Sequence, residues 1–127
     1  MRVEVLRVVD PSAGIVAFRC DVGAASGRWM GPGIAEVGQF DVEIDVPDEV
    51  SAWTEVSSAV TSLSEVDTEI LVAGEIAQVG EGDDPVVTIR LGTDLLLVEI
   101  PGVKPVPPLA GLLSFQVPEI RLYPYPL

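Results

Sequence analysis

The sequence predicts an all-β fold, a small antiparallel barrel of about seven strands, and three observations predict it. Apolar residues recur at every second position through several segments, the period of a strand with one face buried. Clusters of Gly, Pro, Asp and Ser punctuate those segments at short intervals, as turns do. Apolar residues make up 48% of the chain, enough for one core, so residues 1–127 are expected to form a single domain.

Met1 to Val9 is strand-like, with a phase shift between Val5 and Leu6 that points to a bulge or to burial on both faces. Val16, Phe18, Cys20 and Val22 alternate with Ala17, Arg19 and Asp21. Gly23 to Gly38, rich in Gly, Ala and Ser and carrying Arg28-Trp29-Met30, reads as a long loop. Gln39 to Val46 is the clearest strand: Phe40, Val42, Ile44 and Val46 take one face, and Asp41, Glu43 and Asp45 the other. Thr68 to Val79 is a strand with Gly74 inside it, the mark of a bulge or a barrel corner. A turn at Gly80 to Pro85 leads to Val86–Leu91, and Gly92-Thr93-Asp94 makes a tight hairpin loop. Asp94 to Ile100 is apolar on both faces, as a central strand is. Pro101, Pro105, Pro107 and Pro108 force an extended connection. Leu112 to Tyr123 is the last strand, interrupted by Pro118.

Residues 48–64 read in two ways. Val50, Trp53, Val56, Val60 and Leu63 have the spacing of a short amphipathic helix with Asp48 as N-cap. The Ser, Thr and Val that fill the interior have low helix propensity, and the alternative is an irregular crossover inside one barrel.

Three strands, a crossover and then further antiparallel strands resemble the OB-fold, in which strands one to three lead through a helix to strands four and five. Ala73-Gly74-Glu75-Ile76, the Arg90-Leu91-Gly92 turn and the Leu122-Tyr123-Pro124 ending are also similar to small OB-like ligand-binding domains. Nucleic-acid-binding members use basic grooves with exposed aromatics. This chain departs from that pattern in charge, so that function is not carried over.

Twenty Asp and Glu face seven Lys and Arg, for a net charge of −13, and there is no histidine. The arginines are scattered and Lys104 is the one lysine, so nucleic acid and anionic membranes are poor partners and a basic protein a better one. Without histidine, every His-based acid–base or triad scheme fails. One cysteine and no histidine exclude a zinc site, and no phosphate-binding loop is present. The expectation is no enzyme, no cofactor and no metal. Cys20, alone and on an apolar face, reads as an inert core thiol. The lone cysteine and the absence of a secretory signal or a long apolar run suggest the reducing cytoplasm of a bacterium.

Two sets of residues are candidates for partner binding. Asp41, Glu43 and Asp45 share one strand face, with neighbours about 6.5–7 Å apart. They form either a solvated outer surface or an acidic patch for a basic partner, with Arg19 or Arg90 expected opposite. Arg28, Trp29 and Met30 are of types found at binding hot spots, unless Trp29 folds back to plug the barrel end. Trp53 has the same ambiguity, with its spacing favouring burial. The Tyr123–Leu127 tail either packs on the barrel or offers a peptide to a partner. The leading expectation is a non-enzymatic acidic binding protein, for example an immunity protein that neutralises a basic toxin. A structural or assembly subunit and a small-ligand-binding barrel are the alternatives.

Overall fold

The computed structural model describes residues 1–57, 60–101 and 111–125, and all its regular structure is strand. The strands are β1 (Arg2–Asp10), β2 (Ile15–Cys20), β3 (Gly23–Trp29), β4 (Gly38–Asp45), β5 (Thr54–Val56), β6 (Ser62–Val66), β7 (Glu69–Val79), β8 (Val86–Leu91), β9 (Asp94–Glu99), β10 (Leu112–Val117) and β11 (Arg121–Pro124). Among the described residues, no helix is long and apolar enough to cross a membrane.

Five strands close into a ring in the order β1–β2–β3–β11–β4. The pairs are antiparallel except β3–β11, which is parallel and seals the barrel. The barrel is therefore mixed, and it is compatible with an OB-like barrel. The expected phase shift in β1 is real: the β1–β2 register slips between Val5 and Arg7. Inside the ring, alternate residues Val3, Val5, Val16, Phe18, Val42 and Leu122 are fully buried, as the period-two pattern requires.

The other six strands form an insert between β4 and β11. Its axis is β7. Ala73 pairs with both Ser62 and Ser114, and Glu75 with both Arg90 and Leu112. One side of β7 thus carries β10, while the other carries β6 and then β8. Gly74 stands at the handover, in the insert rather than at a corner of the closed barrel; the register slip of β7 lies just beyond it, between Ile76 and Gln78. β5 adds to β10, and β9 adds to β8 through the Gly92-Thr93 turn. One contiguous core runs from the ring into the insert residues Val72, Ile76, Ile89, Val98 and Phe115.

Four expectations are corrected. Gly23–Trp29 is a strand, not loop. Its small side chains are what let three neighbours close on it. A Cβ on Gly23 would lie 1.8 Å from the Leu63 carbonyl oxygen, at a φ of +148° that also suits glycine. Residues 48–57 and 60–64 contain no helix: they form an extended crossover with β5 and the start of β6. Val60, on the supposed apolar face, is exposed, and the β-branched residues pair in sheets instead. Asp94–Glu99 is an edge strand rather than a central one, with Leu95 54% and Leu97 64% exposed. Leu112–Tyr123 splits into β10 and β11 at Pro118, which has no N–H to continue a ladder. The proline-rich connection beyond Pro101 lies outside the described residues.

Candidate functional site

Among the described residues two sizeable grooves stand out, one on the ring and one on the insert. The ring groove encloses about 820 Å³ and is lined by Arg2, Trp29, Pro32, Phe40, Asp41 and Tyr125, among others. Trp29 and Phe40 follow the inward alternation of β3 and β4 to the barrel's rim, where their rings meet edge to face at 4.9 Å and 67°. Trp29 is half-buried, so it closes the barrel end and lines the groove at once. Gly31 fits under it: a Cβ there would come within 2.6 Å of Pro124 and 2.8 Å of the Trp29 indole nitrogen. Tyr125 is held beside the groove by its N–H, which donates to the Asp41 carbonyl at 3.0 Å. The tail through Tyr125 therefore packs along β4.

The candidates from sequence do not gather into one site. Arg28 is tied inward: Nε donates to Glu119 Oε1 at 2.7 Å and Nη1 to the Ala13 carbonyl at 2.8 Å. Met30 is exposed beside the apolar loop that bears Ile34 and Val37. Asp41 pairs with Arg2 at 3.0 Å, both side chains more than half exposed. Glu43 lies opposite Tyr123 and Asp45 opposite Arg121. The cations facing the acidic strand are thus Arg2 and Arg121, because β4 lies between β1 and β11. Arg19 instead pairs with Glu4, and Arg90 with Glu75. Arg121 also joins Glu119, at 3.0 Å. Burial alone would raise the Glu119 carboxyl; the hydrogen bonds and charges of Arg28 and Arg121 outweigh it and hold the group below its ordinary value. Cys20 is half-buried rather than fully enclosed, and burial pushes its thiol up, away from the reactive thiolate.

The insert groove encloses about 600 Å³ and is lined by Glu49, Trp53, Thr54, Glu69, Phe115 and Gln116, among others. Trp53 is half-buried and Glu49 is exposed. Neither Glu49 nor Glu69 has an ion-pair partner among the described residues. No family model matches the chain, and no curated protein or solved structure matches it either. The geometry carries the functional reading by itself.

Charge separates the two grooves. Residues 46–118 hold twelve carboxylates against Arg90 and Lys104, while the rest of the chain holds eight against five arginines. Four of those five arginines, Arg2, Arg19, Arg28 and Arg121, are engaged by ring carboxylates. The ring groove sits in a nearly balanced field, and the insert groove in a strongly negative one. Sequence reading left Trp53 between a binding hot spot and the core, with helical spacing favouring burial, and did not single out Glu49 or Glu69. A running count of charge along the chain holds the missing signal. Among the described residues, no group of three or more Cys, Asp and Glu is disposed to hold a metal ion.

Proposed function

We propose that the chain is a non-enzymatic binding protein that takes a basic protein partner on its acidic insert, with the Trp53 groove receiving an Arg or Lys side chain. One observation carries this reading: a half-buried indole and two carboxylates, Glu49 and Glu69, line one groove on the part of the molecule that holds the charge surplus. A guanidinium over an indole face gains about 0.5–2 kcal/mol from the ring quadrupole, and carboxylates beside it accept its N–H groups. The surrounding negative field steers a cationic partner and raises its on-rate. An immunity protein that neutralises a basic toxin in the cytoplasm is the concrete form of this function.

We also read the ring as OB-like, with β4 and β11 as its fourth and fifth strands. OB barrels bind oligonucleotides on the face of strands two and three. Here that face is occupied by carboxylates: Glu65 accepts from the Ser26 N–H at 2.8 Å, and Glu119 holds Arg28. Two carboxylates there balance Arg28 and Arg121, so the face offers no basic surplus to a phosphate, which argues for a protein partner instead.

The probe is a nona-arginine peptide titrated by calorimetry at low salt. The double variant Glu49→Gln/Glu69→Gln is expected to weaken binding about tenfold, or about 1.4 kcal/mol, and Trp53→Leu similarly. Asp41→Asn/Glu43→Gln removes the same charge from the ring and is expected to change the affinity less than about twofold. Equal losses in the two double variants, or no binding by the wild type, would reject the Trp53 groove.

A further inference from the structure

We infer that β9 is the seam of a symmetric homodimer, joined by antiparallel pairing of β9 with β9 of a second copy. The backbone directions of the strand carry this inference. Val86 and Glu99 face each other across the β8–β9 ladder, yet they exchange no hydrogen bond. The Val86 carbonyl accepts from Gly80 at 2.9 Å and its N–H donates to Asp84 Oδ1 at 3.0 Å. The Glu99 carbonyl, on the far side, accepts from Val50 at 2.8 Å. In an antiparallel ladder such pairs alternate with bonded ones, so Thr88–Leu97 and Arg90–Leu95 are of the same kind. The N–H and C=O of Leu95 and Leu97 therefore point out of the sheet. Among the described residues nothing bonds them.

These two residues also carry the exposed leucine side chains. Natural sheets blunt an open edge with Lys, Pro or a bulge. This edge has none of the three between Asp94 and Glu99.

The edge is complementary to itself. With a two-fold axis at Leu96, Leu95 pairs with Leu97 of the second copy and Leu97 with its Leu95. Both pairs join outward-pointing backbone groups, giving four hydrogen bonds. Leucine faces leucine in each pair, a favourable cross-strand contact. In the same register Asp94 faces Val98, while Glu99, whose outward side Val50 fills, lies beyond the paired stretch, so no carboxylate lies opposite another. Shifting the axis to Leu97 would need the Glu99 carbonyl, which Val50 already occupies. An isologous contact of this kind closes on two copies and does not propagate. It uses a different surface from the Trp53 groove and does not depend on the proposed partner.

The net charge of −13 opposes association, so the dimer is expected to tighten with salt. The test is sedimentation velocity of the full chain over a concentration series in about 1 M salt, where charges are screened beyond about 3 Å. The wild type is expected to sediment as a dimer, with its dissociation constant falling at least tenfold relative to low salt. Leu97→Lys is expected to raise that constant at least tenfold with unchanged circular dichroism. This variant lowers the net negative charge, so electrostatics alone would have strengthened the dimer. Leu97→Pro removes an N–H that the sheet does not use and is expected to abolish the dimer in the folded protein. Leu6→Lys, an exposed leucine on β1, is the control and should leave it intact. A wild type that stays monomeric in high salt overturns the proposal, as does a Leu97→Lys protein that dimerises like the wild type.

Discussion

The ring and the insert are built from the same alternation of apolar and polar residues, but they differ in how charge is settled. Ring carboxylates meet arginines across strands: Glu4 with Arg19, Asp41 with Arg2, Glu119 with Arg28 and Arg121. The insert has one such pair among the described residues, Glu75 with Arg90, and Asp94 meets the N-terminal ammonium of Met1 from the ring. The two regions also differ at their edges. The ring closes on itself through β3–β11, whereas among the described residues the insert ends in β5 and β9, each paired on one side. A closed and nearly neutral barrel supports an open, acidic sheet. Contacts with other molecules are therefore expected on the insert, although the alternating acids of β4 are the more conspicuous feature of the sequence.

The largest effect is expected where the two regions meet. Gly23 is the residue of β3 that pairs with β6, and there is no room for a side chain beside the Leu63 carbonyl. Gly23→Ala is expected to cost about 3 kcal/mol through overpacking and backbone strain, lowering the melting temperature by about 10 °C. Because one core runs through ring and insert, calorimetry should show a single transition at the lower temperature. Two separated transitions would mean that the regions unfold independently.

The ring was more legible in the sequence than the insert, and the reason is physical. In β2 and β4, alternate apolar side chains enter one core while polar ones face water, so period two appears undiluted. β3 failed that test because Gly23, Ala25 and Gly27 fill its inner positions: close packing there selected the absence of side chains, which looks like loop. β9 misled in the opposite sense. Leu95 and Leu97 suggested burial on both faces, but a strand's neighbours are set by topology, and among the described residues β9 has one. The described parts of 48–64 matched a helical spacing by coincidence: Val50 is buried where its N–H donates to the Glu99 carbonyl, and Leu63 where β6 meets β3. The grooves were the least legible. Trp29 and Asp41 are twelve residues apart in sequence and meet because β3 and β4 end at one rim; Glu49 and Glu69 meet only through the sheet around β10.

A smaller effect tests the charge contrast directly. Removing two insert acids, as in Glu49→Gln/Glu69→Gln, relieves repulsion and breaks no ion pair, so the melting temperature is expected to rise by about 1–3 °C at low salt. Asp41→Asn instead leaves Arg2 without its partner and is expected to lower stability by at most about 1 kcal/mol, as exposed pairs do. Salt should raise the melting temperature of the wild type and erase most of the gain in the insert variant. If both variants shift stability in the same direction, the ring and the insert do not differ in the way their ion pairs suggest.

The smallest expected effect concerns the acid limb of stability, and it belongs to the ring. The two carboxyls held below their ordinary values are Asp10, by hydrogen bonds from the Ser12 side chain and the Ala13 and Ser12 backbone, and Glu119, by Arg28 and Arg121. A carboxyl whose folded value is depressed binds its proton more readily in the unfolded chain. Its contribution is complete above the unfolded value, 4.5 for Glu119, and is lost as pH falls through the lower folded value. Glu119→Gln is therefore expected to melt roughly 3 °C below the wild type near neutral pH, and the gap should close as the pH is lowered from about 5 towards 3. A gap that stays constant over that range would mean that Glu119 acts through packing between Arg28 and Arg121 rather than through its charge. In that case the ring's balance of charge would be a matter of geometry alone, and the contrast with the insert would rest on the unpaired acids of the insert.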